Sequence, residues 1–239
     1  MHPLKPIALL GMAALLGHGC NMNCLQGTGT VAERTVQVGA FEAIEVDGAM
    51  EVAIERGPEQ AVTVIAQPNL IPLLDTVAKG GTWRINTSQC WHSSGPFKVH
   101  IITPAPLTSI KVGGSGDVAC ADVFSSEGVK LSVAGSGSII IDGINTKVLD
   151  GAISGSGSIT LRSGTCAKLG ARISGSGELH ARELAANEAD VKISGSGDAS
   201  ITAISKLAAK VSGSGQVRYA GKPDVDSKVS GSGSVTPLQ

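Results

Sequence analysis

Glu178 and Asp198 are the two residues of this chain whose type and spacing could carry chemistry: each directly follows a Gly-Ser-Gly tripeptide, and they lie 20 residues apart. If those tripeptides stack, the two carboxylates stand about 5 Å apart, near the separation at which retaining glycosidases hold a nucleophile and a general acid. His180 and Arg218 fall on the same outward strand position of nearby repeats. A solvated polar edge explains the same pattern, because like charges that close are unfavourable without a cation or sugar between them. Other catalytic signatures are absent from the sequence. It holds no Gly-x-Ser-x-Gly elbow, no phosphate loop ending in Gly-Lys-Ser/Thr, and no dinucleotide fingerprint, so no cofactor is implied. The serines inside the tripeptides are repeated rather than singled out by a base, which argues against a nucleophile. Asp117 directly follows Gly116, which is not the spacing of calcium-binding nonapeptide repeats.

The elements that must position these carboxylates are legible from the repeat itself. Gly-Ser-Gly occurs seven times, its first glycines being Gly114, Gly135, Gly155, Gly175, Gly195, Gly213 and Gly231, at steps of 21, 20, 20, 20, 18 and 18 residues. A period near 20 with a glycine-rich corner and no helical pattern predicts a stacked β-solenoid. Two residues before each first glycine stand Val112, Val133, Ile153, Ile173, Ile193, Val211 and Val229, all β-branched. Four residues after it stand Val118, Ile139, Ile159, Leu179, Ala199, Val217 and Val235, all apolar. Each tripeptide therefore joins two short strands whose alternate residues point inward. The step from 20 to 18 is expected to remove residues from the variable corner, ten to fifteen positions past a tripeptide. Seven coils at about 4.8 Å per rung give a face roughly 29 Å long.

Residues 31–110 alternate as strands without the tripeptide, and Asn69 to Leu74 read as a helical turn. The fold class expected is all-β: a parallel β-helix-like solenoid, with irregular coils over 38–110 capping the Gly-Ser-Gly coils of 111–235. Only 6 aromatic residues against 32 glycines, with 42% of residues hydrophobic, suit a core of thin Val, Ile, Leu and Ala layers. A net charge of -1 with no run of Lys and Arg gives no footprint for nucleic acid.

Residues 1–19 carry Lys5, an apolar stretch from Ile7 to Leu16 and small residues before Cys20, the outline of a secretory signal too short to span a bilayer. Gly17 to Cys20 resembles a bacterial lipobox, which makes Cys20 the expected lipidation site and 20–37 a tether to the 38–239 domain. That leader implies an outer-membrane or periplasm-facing lipoprotein, or alternatively a periplasmic or secreted protein. Cys24, Cys90, Cys120 and Cys166 then lie in an oxidising compartment, where four cysteines allow three pairings. Cys120 and Cys166 sit at different heights and offsets and are not expected to pair, whereas Cys24 with Cys90 is allowed. Cys90, Trp91 and His92 form the one close Cys/His group, read as a surface loop with a loosely packed Trp rather than a metal site.

The run 41–48 (FEAIEVDG), then 52–57 (VAIERG), Pro68 to Leu70, Gly80 to Ile85, and Ile110 to Val118 with its following coils resembles the putative auto-transporter adhesin head GIN domain family. The resemblance implies a β-helix-like fold in a bacterial envelope protein and carries no catalytic residues. Together these readings give an exported, adhesin-like or structural binding module that is not an enzyme, with a surface glycan or envelope protein as partner and a membrane tether through Cys20. The alternative is a carbohydrate-active β-helix enzyme using Glu178 and Asp198.

Overall fold

A computed structural model describes residues 24–123 and 127–238. The signal at 1–19 and Cys20 lie outside the described residues. The chain is an all-β solenoid of about six turns, with no α-helix among the described residues. Long strands such as Ser138–Gly155, Gly164–Gly175, Glu178–Gly195 and Asp198–Gly213 stack in parallel, each residue on its equivalent one coil away. Val112, Val133, Ile153, Ile173, Ile193 and Val211 are buried, as are Val118, Ile139, Ile159, Leu179, Ala199 and Val217. Val229, their equivalent in the last described coil, is exposed because no further coil of the described residues covers it.

The two glycines of a corner are required for different reasons. The first has positive φ, between 110° and 127° in all seven corners, which a side chain disfavours. The second does not, but a Cβ on Gly197 would lie 2.5 Å from the Gly177 carbonyl oxygen below it. The central serine's N–H completes the stack by donating to the first glycine of the coil beneath, as Ser196 does to Gly175 at 2.8 Å. The shortening to 18 residues occurs where Ala181 pairs with Ile201 but Ala185 with Thr202 and Glu188 with Lys206. It therefore begins slightly closer to the tripeptide than the sequence suggested.

The irregular first half is partly regular. Ala43–Gly48 and Glu51–Arg56 pair in parallel with Ser109–Gly114 and Asp117–Val123, placing Gly48 on Gly114. Residues 48–50 (GAM) are thus an additional corner. A Cβ on Gly48 would meet nothing within 4 Å, because no corner stacks beneath it, and Met50 can occupy the second glycine's place with its side chain buried. Beneath this coil lie Thr82–Ile85 and Lys98–Thr103, still parallel, and then Ala61–Ala66 and Ala32–Val36, which turn antiparallel and end the stack. The helical turn expected near Asn69 is a 3₁₀ turn at Ile71–Leu73. Four aromatic residues, Phe41, Trp83, Trp91 and Phe97, lie in this wider cap: Phe41 meets Trp83 at 5.5 Å, and Trp83 is fully buried with its indole N–H donating to the Asp75 carbonyl at 2.9 Å.

The cysteines and the start of the described chain bear on two expectations. Cys24 is disulfide-bonded to Cys90, while Cys120 and Cys166 are free and buried on different coils. Burial pushes the Cys120 thiol up to about 12 and the Cys166 thiol up to about 11, so both stay protonated and inert at neutral pH. Residues 24–37, expected within the tether, are fixed instead by that disulfide, by pairing of Leu25–Gln26 with Trp91–His92, and by the Ala32–Val36 strand. The expected loose loop at Cys90, Trp91 and His92 is likewise corrected. It is a disulfide-anchored strand, with Trp91 half-buried against Phe97 at a centroid distance of 5.0 Å.

Candidate binding face

Glu178 and Asp198 occupy paired positions on adjacent strands, as the repeat required. Their side chains have separate partners. Glu178 lies 2.9 Å from His180 Nε2 on its own strand, while Asp198 accepts the Gln216 backbone N–H at 2.9 Å and lies 4.0 Å from Arg218. His180, Ser200 and Arg218 form the next row on the same outward face. With side-chain exposures of 56% and 37%, the two carboxylates sit on open surface rather than in a cleft that excludes water. Each is held by a neighbour instead of converging on a shared point.

The strand that leads into each corner carries a different pattern. Its outward residues lie one, three, five and seven positions before the first glycine, and parallel stacking turns each position into a row running along the rod. The row seven positions before alternates in sign: Lys168, Glu188, Lys206, Asp224. The row three positions before begins in the same manner, with Arg84, Glu45 and Lys111 stacked in that order. Glu45 accepts from Lys111 and, at 3.0 Å, from Arg84; the Lys111 hydrogen bond is the main cause that holds its carboxyl below the usual range, against the opposing effect of burial. Neutral Ser132 and Ala152 follow. Then come four cations without interruption: Arg172, Lys192, Lys210 and Lys228.

These four depart from the acid–base pairing that joins many neighbouring coils, as Glu178 on Asp198 also does. Lys98 with Glu51 at 2.6 Å, Lys147 with Glu127 at 2.8 Å and Arg162 with Asp142 at 2.8 Å all join acid to base between neighbouring coils. On the four-cation row Lys192 reaches Asp190 on its own strand at 2.9 Å, and the other three form no ion pair among the described residues. Like charges stacked at about 5 Å repel by roughly 1 kcal/mol in water, so an unbroken row has an electrostatic cost that an alternating one lacks. Beside it runs a row of exposed hydroxyls, Ser154, Ser174, Ser194, Ser212 and Ser230. Between the two rows lies a groove of about 550 Å³, lined by Arg172, Lys192 and Lys210 on one side and Ser154, Ser174 and Ser194 on the other.

A scan for runs of Lys and Arg cannot find this row, because its members lie 18 to 20 residues apart. The signal that finds it is the residue three positions before each first glycine, taken coil by coil.

Comparison with known structures agrees with the architecture. A "putative adhesin" from Bacteroides fragilis superposes with a TM-score of 0.83 at 21% identity, over 90% of this chain and 100% of that one. A "putative lipid binding protein" from Parabacteroides distasonis gives 0.73 at 25% identity, over 90% and 99%. A "putative adhesin" from Parabacteroides merdae gives 0.74 at 24% identity, over 90% and 99%. No similar protein was found among curated sequences. Residues 40–223 match the family described as "Putative auto-transporter adhesin, head GIN domain", and the chain belongs to that family.

Proposed function

We propose that this protein is an exported, adhesin-like binding module of the bacterial envelope that works through its laddered outer faces and has no catalytic activity. The observation that carries this reading is the surface itself. Outward residues of successive coils form straight rows on open strand faces, which suits repeated contact along an extended partner better than enclosure of a small molecule. Family membership supports the adhesin-like role, and the disulfide between Cys24 and Cys90 supports an oxidising, extracytoplasmic compartment. In this reading residues 1–19 are the export signal, Cys20 is lipidated and tethers the chain to a membrane, and the partner is a surface glycan or an envelope protein rather than nucleic acid.

The register of Glu178 on Asp198 is the one feature that favours the alternative, a carbohydrate-active enzyme. A glycan array and an envelope pull-down, run beside a polysaccharide cleavage assay, separate the two. The expected result is binding without cleavage, retained when Glu178→Gln and Asp198→Asn are combined. Cleavage that Glu178→Gln abolishes would replace the binding module with the enzyme.

A further inference from the structure

We propose that the row Arg172, Lys192, Lys210 and Lys228, with the serine row beside it, binds a linear acidic polysaccharide laid along the rod axis. The inference rests on the binding-module reading and names the ligand class and the residues that hold it. Four cations on four consecutive coils, three of them without a carboxylate partner among the described residues, leave positive charge in a line about 14 Å long. One neighbouring row shows that the fold readily accepts alternating signs: Lys168, Glu188, Lys206 and Asp224 alternate four residues away on the same strands. An external polyanion supplies what the chain omits at the row three positions before each corner.

The shape of the site selects among polyanions. A pyranose ring in an extended chain advances by about one coil spacing, roughly 5 Å, so one charged sugar can meet one cation on each coil. The exposed hydroxyls of Ser174, Ser194 and Ser212, across the groove from those cations, can donate to and accept from ring hydroxyls. A flat anionic membrane fits less well. On the far side of the cations Asp190 and Asp226 stand on the same strand face, and a planar surface would press its headgroups onto them, whereas a chain seated between the cation and serine rows avoids both. Single-stranded nucleic acid is also a linear polyanion, but its non-specific binders use aromatic platforms for base stacking. The cation and serine rows contain none, and Tyr219 lies on the strand after the corner.

The test is binding of the full chain to sodium polygalacturonate by calorimetry, beside neutral dextran, phosphatidylglycerol-containing vesicles and an oligothymidylate. Polygalacturonate binding is expected at low salt and should weaken at least about tenfold between roughly 50 and 200 mM salt, as released counterions require. Combining Arg172→Ser, Lys192→Ser and Lys210→Ser should weaken it by about tenfold or more, while Lys168→Ser with Lys206→Ser should change it less than about threefold. Arg172→Lys with Lys192→Arg and Lys210→Arg, which keeps the charge, should retain binding. All three sets lie on exposed positions, and circular dichroism establishes that each variant remains folded. Failure to bind polygalacturonate, equal loss in both serine sets, or tighter binding to the vesicles or the oligothymidylate overturns the inference. Binding to dextran or to an array glycan that ignores the triple substitution overturns it while leaving the binding-module reading intact.

Discussion

Ile173→Asp is expected to abolish the folded rod. Ile173 is 2% exposed and pairs with Ile153 on one side and Ile193 on the other, so its side chain is enclosed by equivalent residues of both neighbouring coils. A carboxylate there loses its hydration and gains no partner, at a cost of several kcal/mol beyond the lost apolar burial. Whole-domain stability is only about 5 to 15 kcal/mol, and a solenoid distributes it over coils that cannot fold alone. Thermal and urea unfolding should therefore show either no cooperative transition or a midpoint far below that of the native chain. Ile173→Val, which removes one methylene, should cost only about 1 kcal/mol. Equal melting temperatures for Ile173→Asp and the native chain would contradict the enclosed core.

Gly195→Ala should be nearly as damaging, although it adds only a methyl group. Gly195 has φ of 123°, and a Cβ there would lie 2.4 Å from the carbonyl oxygen of Gly175. Backbone strain of this kind costs about 1 to 3 kcal/mol, and relieving the overlap requires two coils to separate, which weakens the hydrogen bond from the Ser196 N–H to the same oxygen. Ser196→Ala is the matched control. Its side chain is exposed and its backbone N–H survives the substitution, so the change should stay within about 0.5 kcal/mol. Urea midpoints of the two variants provide the comparison, and similar midpoints would show that the corners do not stack as described.

The inward positions could be read directly from the sequence because each is repeated, and repetition separates a structural requirement from chance. Ile173 resembles any buried isoleucine until Ile153 and Ile193 are seen at the same offset. The corner at Gly48 was hidden for the converse reason. A second glycine is needed only where another corner lies beneath, and at the capped end none does, so Met50 removed the signal while the backbone path stayed the same. The antiparallel turn of Ala61–Ala66 was hidden because strand alternation is the same in both directions. Trp91 carries no packing signal in the sequence, because the Cys24 that anchors its neighbour Cys90 lies 66 positions away and its contact with Phe97 depends on side-chain geometry. At the candidate site, the juxtaposition of Glu178 and Asp198 followed from the period alone, but their separate partners depend on side-chain geometry that a repeat does not encode. The cation row was encoded at a fixed offset from each corner, and it becomes visible only when that offset is followed along the rod.

Every row on this surface depends on one claim, that residues 18 to 20 positions apart become direct neighbours on parallel strands. Cysteine cross-linking tests it most directly. Ser174 and Ser194 are exposed and paired in register, about 4.8 Å apart at Cα, within the range a disulfide can bridge; Ser212 is two coils from Ser174, roughly twice that distance. Under mild oxidation, Ser174→Cys with Ser194→Cys should form an intramolecular bond in high yield, and Ser174→Cys with Ser212→Cys should not. Equal yields from the two pairs, or no bond in the first, would contradict the register on which the fold and the binding face both rest.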